Sequence, residues 1–186
     1  PSPLQFSMSV LIRPMKQSEH PLLEDFLYEA VFQEEGQPPL PRNIVRLPEL
    51  RCYIENFGSK KEDAALCVEV EGRVVGAVWV RLMHAFGHVD DDIPELAIAV
   101  YGPYRRRGLG KSLMKAMLAH LQGTGCKGVS LSVQKHNPAA EMYLGLGFLI
   151  TREHKREYVM EYRFASSRAL RPCSEPCSSG DDHEFL

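Results

Sequence analysis

Residues 95–122 set three elements end to end. An apolar run, ELAIAV, passes into an Arg- and Gly-rich turn, YGPYRRRGLG, and then into a helical stripe. The stripe is Leu109, Leu113, Met114, Met117, Leu118 and Leu121, spaced 4, 1, 3, 1, 3, which is one face of a helix over Arg107–Gln122 closed by Gly123 and Gly125. A second nearly all-apolar run, VVGAVWVRLM (74–83), must be buried on both faces. A chain with doubly buried strands and amphipathic helices has to sandwich its sheet between helices.

The remaining elements fit that frame. Ser9–Arg13 reads as a strand stopped by Pro14. In residues 20–35, Leu22, Leu23, Phe26, Leu27, Ala30 and Val31 predict an amphipathic helix, with Ser18 and Glu19 at its start. A second, short helix is expected from Pro48 to Gly58. Ala65–Glu71 and Val74–Leu82 form a hairpin about Gly72-Arg73. GVSLSV (128–133) is a strand, Asn137 caps a helix with Pro138 at its first position, and that helix ends at Gly147. FLITREH and REYVMEYRF are two further antiparallel strands. The expected fold is α/β: a mixed, mostly antiparallel central sheet with a parallel splayed pair and helices on both faces. We expect an N-terminal extension over 1–8, one domain over 9–164, and a disordered tail over 165–186, where Ser, Pro and charge replace large apolar residues.

Composition narrows the function classes. Twenty-two basic and 24 acidic residues give a net charge of −2, which argues against a nucleic-acid coat. There is neither an apolar run of membrane length nor a signal-like N-terminus. Five cysteines, with Cys52, Cys67 and Cys126 scattered, do not form a disulfide framework. A cytoplasmic protein is expected, acting on neither membrane nor nucleic acid.

The chemistry lies in the turn. A helix start offers free N–H groups and the positive end of the dipole. Gly108 and Gly110 let an anion reach the backbone, and Arg105, Arg106 and Arg107 add charge, so the turn suits phosphate or pyrophosphate. Neither the P-loop spacing nor the three-glycine dinucleotide fingerprint is present.

Arg105-x-x-Gly108-x-Gly110 instead resembles the [Q/R]xxGx[G/A] signature of the GCN5-related N-acetyltransferase (GNAT) superfamily. A second motif of that superfamily is matched downstream, where a strand precedes Asn137, Tyr143 and Gly147-Phe148. The paired resemblance spans roughly residues 9–163. It implies an acyl-CoA N-acyltransferase fold and an enzyme that moves the acetyl group of acetyl-CoA to an amine by direct attack in a ternary complex. It implies that Arg105, Arg106, Arg107, Gly108, Leu109, Gly110, Lys111 and Ser112 hold the cofactor's pyrophosphate. Backbone of Ile98, Ala99 and Val100 would bond the pantetheine arm, with Asn137 assisting, and an N–H near Val100 would polarise the thioester carbonyl.

A lysine-type amine is neutral in only about one molecule in two thousand at pH 7, so a base is required. The resemblance makes Tyr143 the acid for the leaving thiolate, in contact with the cofactor. For the base, one branch places a glutamate where Pro94 stands here, and Glu95 is the adjacent carboxylate. The ribosomal-protein N-terminal acetyltransferases place one where Ser132 stands. Glu95 is nominated, with Asp91, Asp92 and His88 available for a water relay. No metal is expected: the Val89–Asp92 run reads as solvated or as an attractor of a cationic amine, and Cys173, Cys177 and His183 lack a fourth ligand. Trp79 is assigned to the core. Tyr28, Phe32, Tyr53 and Phe57 would shape the acceptor pocket. The partner is a small-molecule or protein amine, and a homodimer is compatible with the family. The competing function is a CoA-binding regulatory module without turnover.

Overall fold

A computed structural model describes residues 8–165. Most of the expected N-terminal extension and nearly all of the expected tail, with Cys173, Cys177 and His183, lie outside the described residues.

Among the described residues, seven strands form one sheet: β1 (Val10–Pro14), β2 (Ala64–Val70), β3 (Arg73–Arg81), β4 (Glu95–Val100), β5 (Gly128–Gln134), β6 (Leu149–Glu153) and β7 (Glu157–Arg163). Their order is β1-β2-β3-β4-β5-β7-β6. Only β4 and β5 run parallel; the other neighbours are antiparallel. The mixed sheet with one parallel pair is the architecture expected from the sequence.

The helices are α1 (Leu23–Ala30), α2 (Pro48–Arg51), α3 (Leu109–Gly123) and α4 (Ala139–Leu146). They cover opposite faces because strand side chains alternate. On β3, Val78 and Val80 join the core under α3 and α4, whereas Ala77 and Trp79 join the core under α1. Trp79 is fully buried, as expected, and its Nε1–H donates to the Tyr53 carbonyl at 3.2 Å.

Three elements differ from the sequence reading. The first helix ends at Ala30 rather than near Glu35, and Val31 is already extended. Beyond it, Tyr28 Oη donates to the Leu40 carbonyl (2.6 Å) and Gln33 accepts from the Leu40 amide (2.9 Å), so side chains rather than helix bonds organise the loop. The segment after Pro48 makes one helical turn and then continues as turns to Gly58. Its carbonyls at Cys52, Glu55 and Asn56 are claimed by the Arg81 guanidinium at 2.6–3.2 Å. Lastly, the hairpin turn is Glu71-Gly72, one residue earlier than expected, with φ of 50° and 77°.

Arg81 also forms a two-pronged, buried ion pair with Asp63, both contacts at 2.8 Å. Burial works against the Asp63 charge, but the Arg81 bond and the amides of Lys60 and Gly58 outweigh it and hold the carboxyl below its ordinary range. This cluster fixes the 52–58 turn against the end of β3 and so fixes Tyr53.

Candidate active site at the parted strands

β4 and β5 share a single register pair, Glu95 with Ser130, where the Ser130 amide donates to the Pro94 carbonyl at 3.0 Å. β4 remains paired with β3 along all six of its residues, Glu95–Val100, and β5 with β7 along all seven of its own. The two central strands therefore part, and half-buried Ala97, Ile98 and Ser132 lie on the strands that bound the gap.

The turn after β4 prepares the helix start. Gly108 caps α3 at φ 79°, a left-handed conformation that a side chain strains. The Ser112 amide bonds to the Gly108 carbonyl at 3.0 Å, so the amides of Leu109, Gly110 and Lys111 precede the first helical bond. A Cβ built on Gly108 or Gly110 meets nothing within 4 Å, so neither glycine is packed against another part of the fold. Free amides at a helix start suit an anion such as a diphosphate. Arg106 (φ 62°), Arg107, Lys111 and Ser112 are exposed around it. Arg105 is used differently: its Nε donates to the Val100 carbonyl (2.7 Å) and its Nη2 to Glu29 (2.8 Å). Its side chain ties the end of β4 to α1, leaving chiefly its backbone for the cradle.

Glu95 occupies the point where the strands part, with 1% of its surface exposed. Its carboxylate accepts from the Ala85 amide at 2.8 Å and from the Gly87 amide. Burial pushes this carboxyl up to about 7, even though the two amides, the Tyr53 hydroxyl and the Arg152 charge all pull it down. Burial, together with the Glu95 charge, pushes the Tyr53 phenol upward and keeps it protonated. Gly87 must be glycine for reasons of space: an added Cβ would stand 2.7 Å from the Leu131 carbonyl carbon and 2.8 Å from both the Ser132 amide nitrogen and Glu95 Oε1. The loop from β3 thus presses onto β5 beside the carboxylate. Arg152 closes the arrangement by donating to the His88 carbonyl.

The other expected residues are dispersed. Asp92 pairs with Lys127 at 2.6 Å, and Asp91 with His84 at 3.2 Å. Ser132 Oγ donates to Glu157 at 3.0 Å. Asn137 caps α4 through the Ala139 amide at 2.9 Å. Tyr143, on α4, is buried against Phe148 with ring centroids 5.8 Å apart, and burial pushes its phenol upward. Ala85, Gly87 and Arg152 did not emerge from the sequence. The glycine in AFGH was the one visible signal among them.

The acetyltransferase (GNAT) family model matches residues 26–148, and the chain belongs to that family. It is 35% identical over 119 residues to an N-alpha-acetyltransferase of Sulfurisphaera tokodaii, covering 57% of this chain and 70% of the relative. The fold is similar to that of the PaiA N-acetyltransferase of Thermoplasma acidophilum in complex with coenzyme A (TM-score 0.63, 17% identity, 84% of this chain and 100% of the other). It is also similar to YncA of Salmonella typhimurium, a putative acetyltransferase with acetyl-CoA (TM-score 0.61, 16% identity, 89% and 99%). No helix among the described residues is long and apolar enough to cross a membrane.

Proposed function

We propose that the chain transfers the acetyl group of acetyl-CoA to an amine by direct attack, with Glu95 as the base. The observation that carries this reading is the buried Glu95 carboxyl, poised near neutrality where β4 and β5 part. A base works best when its pKa lies near the operating pH. Acetyl-CoA supplies an activated thioester carbonyl and a thiolate leaving group. The amides of Leu109, Gly110 and Lys111 hold the diphosphate, with Arg106, Arg107 and Ser112 around it. The free edge of β4 at Ile98–Val100 aligns the arm, assisted by Asn137. Glu95 takes a proton from the incoming ammonium, directly or through one water. Tyr143 gives its phenol proton to the departing sulfur as the C–S bond breaks and regains one from the nitrogen, which loses its second proton as the amide forms; burial keeps the phenol protonated. Arg105 holds the end of β4 in place through the Val100 carbonyl.

The S. tokodaii relative's name makes an α-amine peptide the first acceptor to assay, beside a lysine peptide and a polyamine. With acetyl-CoA present, one or more of these should release free thiol, and calorimetry should detect CoA binding. A chain that binds CoA yet releases thiol with none of them would be a regulatory module; a chain that binds no CoA contradicts both readings.

A further inference from the structure

Among the described residues, His84, His88 and Asp91 bring one possible ligand atom each within 4.8 Å of one another. A single Asp91 oxygen, Oδ1, stands 3.2 Å from His84 Nε2 and 3.6 Å from His88 Nε2. Zinc bonds of about 2.0–2.2 Å at tetrahedral angles place neighbouring ligand atoms about 3.3–3.6 Å apart. The two edges that meet at Asp91 Oδ1 are close to that length, and the third, between the imidazole nitrogens, is within 4.8 Å. The two imidazoles are stacked, with centroids 4.1 Å apart and 21° between planes.

A second observation concerns the proton. His88 Nδ1 lies 3.3 Å from the Met83 carbonyl. A proton held there leaves the lone pair on Nε2, which is the tautomer a metal ligand requires. In that tautomer His88 Nε2 and Asp91 Oδ1 are both acceptors facing one another, and a cation between them satisfies both. The loop is also anchored from behind. Ala85 and Gly87 donate to Glu95, and Arg152 donates to the His88 carbonyl. Asp92 is turned away to Lys127, so the acidic run itself is not the site.

We propose that His84, His88 and Asp91 bind a divalent transition metal of the zinc type through two imidazole nitrogens and one carboxylate oxygen, leaving a fourth position open. Imidazole with carboxylate selects such ions over calcium or magnesium. The sequence reading expected no metal after weighing the acids of Val89–Asp92 and the Cys173, Cys177 and His183 set; the His84-x-x-x-His88 spacing just ahead of the acids is what the proposal adds.

The test is zinc retention by the full chain carrying Cys173→Ser and Cys177→Ser, so that the tail cysteines cannot compete. Zn2+ alone is titrated in competition with a chromogenic chelator. One equivalent should bind with a Kd on the order of 1 μM, and Asp91→Asn should weaken it by about tenfold or more. The double variant His84→Gln/His88→Gln should lose it, with far-UV circular dichroism unchanged, since both residues lie in a loop outside the strands and helices and the His84 side chain is 74% exposed. Co2+ in place of zinc should give visible absorption bands that the double variant lacks. Zinc binding weaker than about 100 μM, or equal retention by the double-histidine variant, would overturn the proposal. The readout is metal retention, so it stands or falls apart from acetyl transfer.

Discussion

The helix-start cradle and the Glu95 pocket are built by opposite means. The cradle is one continuous stretch, residues 105–110, whose shape follows from two left-handed residues and a helix terminus. The pocket is assembled from four separated segments: Tyr53, the Ala85–Gly87 loop, Glu95 and Arg152. A local device survives change elsewhere in the fold. A pocket assembled at long range depends on residues that never approach the reacting atoms. Substitutions should therefore separate the two regions, leaving cofactor affinity intact while the pocket is damaged.

The largest separation should come from Glu95→Gln. Removing the proposed base should cost about 10²–10⁴ in rate, while CoA affinity by calorimetry should stay within about threefold, because the proposed cradle does not use this carboxylate. A comparable loss of CoA binding would mean that the two regions are not independent. Asp63→Ala comes next. It strands the Arg81 guanidinium, whose side chain is only 3% exposed, and should destabilise the fold by about 3–5 kcal/mol in urea unfolding. A change under about 1 kcal/mol would remove the reason given for the shape of the 52–58 turn.

Gly87→Ala should cost about 1–3 kcal/mol of stability, because its Cβ has backbone rather than a flexible side chain at 2.7 Å. Turnover should fall with it while CoA binding persists. Glu29→Gln is the mildest. It takes the charge partner from Arg105, whose side chain is half exposed, and should cost about 0.2–1 kcal/mol. Its effect should fall on the cofactor side, as a rise in the KM for acetyl-CoA with little change in kcat.

The same contrast explains how far the sequence could be read. The strand–turn–helix run and the Asn137-to-Phe148 segment were legible because their backbone devices are local, although the Arg105 contact to Glu29, 76 residues away, was not. Tyr53 was assigned to the acceptor region, but nothing in residues 48–58 reveals that Arg81 takes their carbonyls and unwinds the expected helix. Glu95 could be nominated from its place beside Pro94. Its surroundings could not be read, since they depend on how closely Gly87, six residues beyond the end of β3, can approach Leu131 and Ser132. The periodicity of residues 20–35 was genuine but overran the helix, because the Tyr28 and Gln33 contacts to Leu40 lie outside any periodic signal.

The ionisation of Glu95 is the most direct test, because it requires no knowledge of the acceptor. The carboxyl carbon of Glu95 can be followed by 13C NMR, assigned by its loss in Glu95→Gln, and titrated with pH. Burial should place the midpoint near 7, with the carboxylate form, the one able to accept a proton, filling as pH rises through that value. A midpoint at the ordinary glutamate value of about 4.3 would mean a solvated carboxylate and would contradict the pocket described for it.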